Sequence, residues 1–202
     1  MTTITTAFAD AVHDSQLCFR RLLTAMSEPG TRVDLDRADG FGAMSAGCVQ
    51  ALLTLADSST QLWLSAALQQ DEAVRDNIRF HVAAPLTLDA AAADFAVLAL
   101  ADQAECDALL RTLAQGSEEY PDQGATLFIE TDSLVQGVEV CLSGPGIQGT
   151  RRVFLGRVPE ALVRFLSERD TTSPQGIDLM LVCDRKLIAI ARTTRVEITA
   201  CM

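Results

Sequence analysis

Arginine is the residue type in this sequence best suited to binding an anionic ligand. Its planar, permanently charged guanidinium matches the paired oxygens of phosphate and carboxylate groups. The arginines cluster in four places: Arg20-Arg21, Arg75/Arg79, Arg151-Arg152 and Arg192/Arg195. Hydroxyls beside a guanidinium suit a cluster of anionic oxygens, so the candidate anion-binding residues are Arg20, Arg21, Arg192, Thr193 and Thr194. The alternative for each cluster is a structural ion pair with some of the 27 acidic side chains.

A glycine-rich segment, Gly144–Gly149 (GPGIQG), has the GxGxxG spacing and follows a strand-like run. A dinucleotide-binding fold needs a helix to begin inside this motif, because its first amides must face the pyrophosphate. Pro145 interrupts the motif, and the following residues lack helical punctuation. The segment therefore predicts a structural turn, and an NAD(P)-dependent oxidoreductase is the least favoured hypothesis.

Other chemistry-bearing residues are sparse. His13 and His81 lack metal-ligand spacing, and the only lysine, Lys186, falls in a predicted hairpin turn that is poor for a buried Schiff base. The cysteines contain no CxxC pair and no iron–sulfur spacing, so free buried thiols are expected. We predict no metal, no cofactor and no catalytic residue. The six cysteines are Cys18, Cys48, Cys106, Cys141, Cys183 and Cys201.

The composition is that of an acidic globular protein. The 202 residues carry a formal charge of −11, which repels nucleic acid and anionic membranes. No apolar run is long enough to span a bilayer, and the N-terminal residues do not resemble a secretion signal. These features predict one domain over residues 1–202, in the cytoplasm, without nucleic-acid or membrane partners.

A helix must carry the first arginine pair. Phe19, Leu22, Leu23 and Met26 have the i, i+3, i+4, i+7 spacing that predicts a core-facing stripe. Asp14 is the expected N-cap, and Pro29-Gly30 ends the helix because proline cannot continue it.

The remaining elements alternate between helices and strands. Several strands are apolar on both faces, which indicates a sheet covered on both sides. We therefore predict an α/β fold, a three-layer α/β/α arrangement, with a sheet made mixed by a late hairpin. The further helices are expected at 45–57, 70–81, 105–115 and 159–168, and the strands at 32–35, 61–64, 94–100, 125–130, 138–142, 176–183, 187–191 and 195–199.

Several motifs taken together resemble one known family. The first and last are the most specific, and the resemblance covers nearly the whole chain. It is to the PhnH family, subunits of the bacterial carbon–phosphorus lyase core complex. The motifs are FRRLLTAMSEPG at 19–30, LLTLAD at 52–57, RFH at 79–81, GATL at 124–127, LSGPGI at 142–147, GIDL at 176–179 and IARTTRVEI at 190–198.

This resemblance implies a fold similar to the PLP-dependent transferase-like fold but without PLP, a homodimer, and assembly with the PhnG, PhnI and PhnJ subunits. It also implies an accessory, non-catalytic role in forming ribose 1-methylphosphonate 5-triphosphate from ATP and methylphosphonate during phosphonate catabolism. The alternative is a protein, or an enzyme in its own right, that binds a phosphonate or nucleotide through its arginines.

Overall fold

The computed structural model describes residues 4–168 and 174–198 of the chain. These ranges contain six α-helices: α1 (Ala11–Ser27), α2 (Ala46–Leu55), α3 (Ala66–Gln70), α4 (Glu72–His81), α5 (Cys106–Thr112) and α6 (Glu160–Glu168). They also contain ten strands: β1 (Val33–Asp34), β2 (Leu62–Leu64), β3 (Leu86–Thr87), β4 (Phe95–Leu98), β5 (Thr126–Glu130), β6 (Glu139–Ser143), β7 (Arg151–Phe154), β8 (Asp178–Cys183), β9 (Lys186–Ile190) and β10 (Arg195–Ile198).

Seven strands form one mixed sheet in the order β1-β9-β8-β5-β4-β2-β3. Five neighbouring strands of this sheet, β8, β5, β4, β2 and β3, run parallel to one another. The hairpin from β8 to β9 then reverses the direction, and β1 pairs antiparallel with β9. The mixed sheet and the late hairpin predicted from sequence are confirmed.

Alternate residues of the central strands enter two separate cores. Phe128 of β5 joins a core with α1, α2 and α4, whereas its neighbours Leu127 and Ile129 join a core with α5 and α6. Because successive side chains of a strand point to opposite faces, these apolar runs require a cover on each side. This is the two-sided burial that the continuous apolar strands predicted.

The cover on the second face is not made of helices alone. There, α5 and α6 share the core with a three-stranded antiparallel sheet in the order β10-β6-β7. The three-layer prediction is therefore correct for the helical face and incomplete for the other. The predicted strand at 195–199 exists as β10 but belongs to this second sheet, and Thr199 lies outside the described residues. The elements α3, β3 and β7 were not predicted.

The first helix differs from its prediction in two ways. Its N-cap is Asp10, whose carboxylate accepts the amide hydrogens of Val12 and His13, whereas Asp14 lies in the first turn. Its buried apolar residues are Cys18, Leu22 and Ala25. Phe19 and Leu23, predicted to face the core, are exposed, and Met26 is only partly buried.

A buried glutamine holds the loop after β1 against α2. Gln50 is fully buried, and its Nε2 donates to the carbonyl oxygens of Leu35 at 2.6 Å and Ala38 at 2.9 Å. Its Oε1 accepts from the amide of Arg37 at 2.7 Å. One polar side chain therefore satisfies three backbone groups that no regular element pairs.

Candidate functional site

Arg21, the second residue of the first arginine pair, is bound by the loop that follows β1. Its Nη1 donates to the carbonyl oxygen of Asp34 and, at 2.6 Å, to Oδ1 of Asp36. This hydrogen bond, reinforced by the positive charge, holds the pKa of the Asp36 carboxyl below its usual range. The geometry supports the ion-pair interpretation for Arg21.

Arg192 forms an ion pair with Asp178 that is largely removed from solvent. Its Nη2 lies 2.5 Å from Oδ2 of Asp178, and its own amide donates to Oδ1 at 2.7 Å. The two side chains are only 17% and 11% exposed. Nη1 also donates to the carbonyl oxygen of Pro121. Gly124 packs closely against this guanidinium, since a Cβ at position 124 would lie 2.8 Å from Nη1 of Arg192.

Arg21 and Arg192 lie at opposite ends of β9. Asp34, whose carbonyl binds Arg21, is the register partner of Lys186 at the start of that strand. Arg192 follows Ile190, the last residue of the strand. Five residues at about 3.4 Å each separate the two ends by roughly 17 Å. The structure therefore does not bring these two guanidinium groups into one site.

The other three candidate residues are also split between these two places, with Arg20 near Arg21 and with Thr193 and Thr194 near Arg192. Arg20 is exposed on α1, and within residues 4–168 and 174–198 its guanidinium has no hydrogen-bond or ion-pair partner. Thr193 is exposed beside Arg192, whereas Thr194 is buried and its amide donates to the carbonyl of Ala191 at 2.9 Å. Arg192, Thr193 and Thr194 thus stay together, and anion binding by them stays a prediction.

The glycine-rich segment Gly144–Gly149 is the turn between β6 and β7, so its prediction as a structural turn is confirmed. A Cβ on Gly146 would lie 1.9 Å from the carbonyl oxygen of Ser27, at the end of α1. A Cβ on Gly144 would lie 3.2 Å from the carbonyl oxygen of Thr193. The turn thus packs between the two segments that carry the most specific sequence motifs.

Arg151 fixes the end of α1 from β7. Its Nη1 donates to the carbonyl oxygens of Glu28 at 2.9 Å and Pro29 at 2.8 Å, and to Oγ1 of Thr31 at 2.5 Å. A cation is favourable where a helix ends, because the last carbonyl groups lack intrahelical partners. More than a hundred residues separate the partners, so no local sequence pattern could have predicted this contact.

The switch point of the parallel strands lies between β2 and β4, whose connections leave toward opposite faces. Open α/β sheets usually bind ligands in this crevice. Here Asp102 accepts the amide hydrogen of Ala67 at 2.7 Å, and Glu105 accepts that of Ala66. Burial, with a contribution from the charge of Asp102, raises the pKa of the Glu105 carboxyl. The protein's own carboxylates therefore occupy these amides, a feature that sequence reasoning missed.

The cysteines at described positions are free thiols, as predicted. Burial raises the pKa of both Cys18 and Cys106 to about 11. Burial also raises the pKa of Cys48, and the nearby charge of Glu130 adds to the effect. A high pKa leaves little thiolate, so these three thiols are poor nucleophiles. Cys201 lies outside the described residues.

The rings of both histidines contact other groups of the fold. Nε2 of His81 lies 2.8 Å from the carbonyl oxygen of Thr5, and its ring stacks on Phe41 at 5.5 Å between centroids. Nδ1 of His13 lies 2.8 Å from Oδ2 of Asp10, the N-cap of α1. Within the described part of the chain, no three His, Cys, Asp or Glu side chains are placed to hold a metal ion.

The single lysine does not fit a Schiff-base role. Lys186 is exposed at the start of β9, directly after the hairpin turn at Asp184 and Arg185. A Schiff-base lysine must sit in an enclosed pocket beside its cofactor, which this hairpin does not provide.

Among the described helices, none is long and apolar enough to cross a membrane.

Two open cavities lie away from the predicted arginine site. One of about 580 Å³ at the carboxyl end of β5 is lined by Asp132, Glu139 and Arg157, among others. The other, of about 670 Å³, lies beside Arg75 and Arg79 of α4. Among the residues that the structure describes, neither cavity is lined by a Ser, Cys or His side chain.

The fold and these contacts define a mixed-sheet α/β protein in which Arg21, Arg151 and Arg192 hold the chain's own backbone and carboxylates. Comparison with family models matches residues 6–197 to PhnH, the bacterial phosphonate metabolism protein. The chain belongs to the PhnH family.

Two relatives also match almost the full chain. The PhnH subunit of alpha-D-ribose 1-methylphosphonate 5-triphosphate synthase from Rhizobium meliloti (strain 1021) is 31% identical over 192 residues, covering 95% of this chain and 94% of the relative. HtxG of Stutzerimonas stutzeri, whose name provisionally describes a C-P lyase subunit, is 32% identical over 184 residues. That match covers 91% of this chain and 86% of the relative.

Proposed function

We propose that this chain is a non-catalytic subunit of a carbon–phosphorus lyase complex, where it supports formation of ribose 1-methylphosphonate 5-triphosphate from ATP and methylphosphonate. The observation that carries the proposal is the nearly end-to-end match to a relative named as a subunit of that synthase. The internal use of Arg21, Arg151 and Arg192 supports a structural rather than a chemical role.

The proposal extends to assembly and location. It takes residues 1–202 as one domain that forms a homodimer, binds PhnG, PhnI and PhnJ, and works in the cytoplasm. It also takes the fold as similar to that of PLP-dependent transferases without use of PLP. The exposed position of Lys186 supports the last point, because a Schiff base there would be open to water.

The test is co-expression of the tagged chain with PhnG, PhnI and PhnJ subunits from one source. We expect a single complex on size-exclusion chromatography, and no release of adenine from ATP and methylphosphonate by the isolated chain. Failure of the chain to co-purify would overturn the assembly. Adenine release by the chain alone would overturn the non-catalytic role.

One observation favours the alternative of ligand binding. Arg192 lines a cavity of about 200 Å³ together with Gln115, Phe165 and Gln175. A ligand held there would stabilise the chain by RT ln(1 + [L]/Kd). Thermal melts with ATP and with methylphosphonate separate the alternatives, since a rise in Tm that is diminished by Gln175→Ala, a change in the lining of this cavity, would support binding. Unchanged melting temperatures would remove this alternative.

A further inference from the structure

The outer face of α1 carries an apolar stripe that nothing in the described chain covers. Val12, Phe19 and Leu23 are 76%, 48% and 55% exposed, although the opposite face of the same helix is buried. At 100° per residue, these three side chains and Gln16 fall on one face, which we call the α1 seam. Surface apolar residues that align in this way mark interaction sites more often than scattered ones do.

The spacing of the α1 seam is that of helix-to-helix packing. Val12, Gln16, Phe19 and Leu23 follow one another at intervals of four, three and four residues. This alternation keeps a seam facing a second helix that crosses at about 20°. The seam spans about 16 Å along the helix axis, since each residue rises about 1.5 Å. One polar position among three apolar ones is a known device for fixing helix register.

Arg20 adds a charge to the edge of the α1 seam. It directly follows Phe19, in the position that flanks such a seam. Its guanidinium has no hydrogen-bond or ion-pair partner in residues 4–168 and 174–198, whereas Arg21 beside it is paired with Asp36. A helix seated on the seam with a carboxylate at its own edge would therefore meet an available cation.

We propose that the α1 seam docks an amphipathic helix of another subunit, with Asp or Glu beside its apolar stripe and opposite Arg20. The proposal rests on the chain being a complex subunit and names the surface and the kind of partner. A second copy of α1 fits less well. If two copies of α1 packed antiparallel, Arg20 of one copy would face His13 of the other. The carboxylate near that histidine, Asp10, would not be available to Arg20, because it already accepts hydrogen bonds from His13 and from amides of the first helical turn. Packed parallel, a second copy would set Arg20 against Ser15.

The experiment uses the tagged chain co-expressed with the other subunits, in wild-type form and as Phe19→Asp/Leu23→Asp. We expect the double variant to recover at least about tenfold less of the other subunits, because charges would face an apolar partner. The matched control is Leu88→Asp, which adds a charge at an apolar position that is 84% exposed and lies just past β3. Its recovery of the complex should equal that of the wild type.

A second measurement does not depend on folding of the double variant. A photo-cross-linking amino acid at Gln16 should capture a subunit other than this chain, through a peptide that contains Asp or Glu. Cross-linking only to a second copy, or equal recovery of subunits by wild type and double variant, would overturn the α1 seam as the docking site. If the wild type itself recovers no subunit, the proposed function fails instead.

Discussion

Arg192 and Asp178 join the start of β8 to the segment that follows β9 through three hydrogen bonds. The guanidinium Nε and Nη2 both donate to Oδ2, at 3.1 Å and 2.5 Å, while the Arg192 amide donates to Oδ1 at 2.7 Å. One carboxylate thus fixes both the side chain and the backbone of the same residue. The pair therefore holds the segment after β9 against the start of β8 at this end of the sheet.

Removing the guanidinium should destabilise the fold strongly. We expect Arg192→Met to lower the free energy of unfolding by about 2–4 kcal/mol, because it leaves the Asp178 carboxylate in a largely buried site without its cation. The control is Arg111→Met, whose ion pair with Asp107 is exposed and should contribute under about 0.5 kcal/mol. Urea unfolding measures both. Equal effects would show that the Arg192 pair is not a stabilising contact.

Arg151 and Arg152 provide a matched pair of neighbouring arginines. Arg151 donates to two carbonyl oxygens at the end of α1, whereas Arg152 is 75% exposed and lies 3.9 Å from Glu139. Arg151→Ala should therefore cost about 2–3 kcal/mol, and Arg152→Ala less than about 0.5 kcal/mol. Hydrogen exchange should also show earlier opening of the last turn of α1 in the first variant only. A reversed order of the two costs would contradict this role.

Two glycines of the β6–β7 turn separate backbone strain from steric clash. Gly146 and Gly149 have φ of +79° and +72°, so alanine at either position costs about 1 kcal/mol or more from the left-handed backbone. A Cβ on Gly146 would also clash with the carbonyl of Ser27, whereas one on Gly149 meets nothing within 4 Å. We expect Gly146→Ala to lower Tm far more than Gly149→Ala. Similar melting temperatures would mean that the turn moves freely off α1.

Much of the fold could be predicted because apolar runs and turn residues act locally. The β8–β9 hairpin follows from two apolar runs separated by Asp184 and Arg185. The orientation of α1 could not be predicted in this way. Phe19 and Leu23 have the same spacing as core residues, although they are exposed. The spacing does not show which of two apolar stripes on a helix packs against the sheet.

The candidate site was harder to predict than the fold because guanidinium partners are distant in sequence. Arg192 finds its carboxylate 14 residues away and Arg151 its carbonyl groups more than a hundred residues away. The small sheet of β6, β7 and β10 places Arg151 there, and β7 carries no strong strand signal of its own. Residue type predicted oxygen partners for Arg151 and Arg192, and topology decided which oxygens these are.

Cys18 and Cys106 make stability depend on alkaline pH. Burial raises the pKa of each thiol to about 11 from an ordinary value of 9.0. Between these values the unfolded chain releases protons that the folded chain retains, so the free energy of unfolding falls as pH rises above about 9. A difference of two pKa units corresponds to about 2–3 kcal/mol for one thiol at pH 11 and to nothing below about pH 8.

Urea unfolding between pH 7.5 and pH 10.5, for the wild type and for Cys106→Ala, measures this dependence. The variant removes one titrating thiol, so its loss of stability across the alkaline range should be smaller than that of the wild type, even if its stability at pH 7.5 is already lower. Comparing slopes rather than absolute values removes the titration of other groups that both chains share. Identical slopes for the two proteins would show that the Cys106 thiol ionises alike in the folded and unfolded chain.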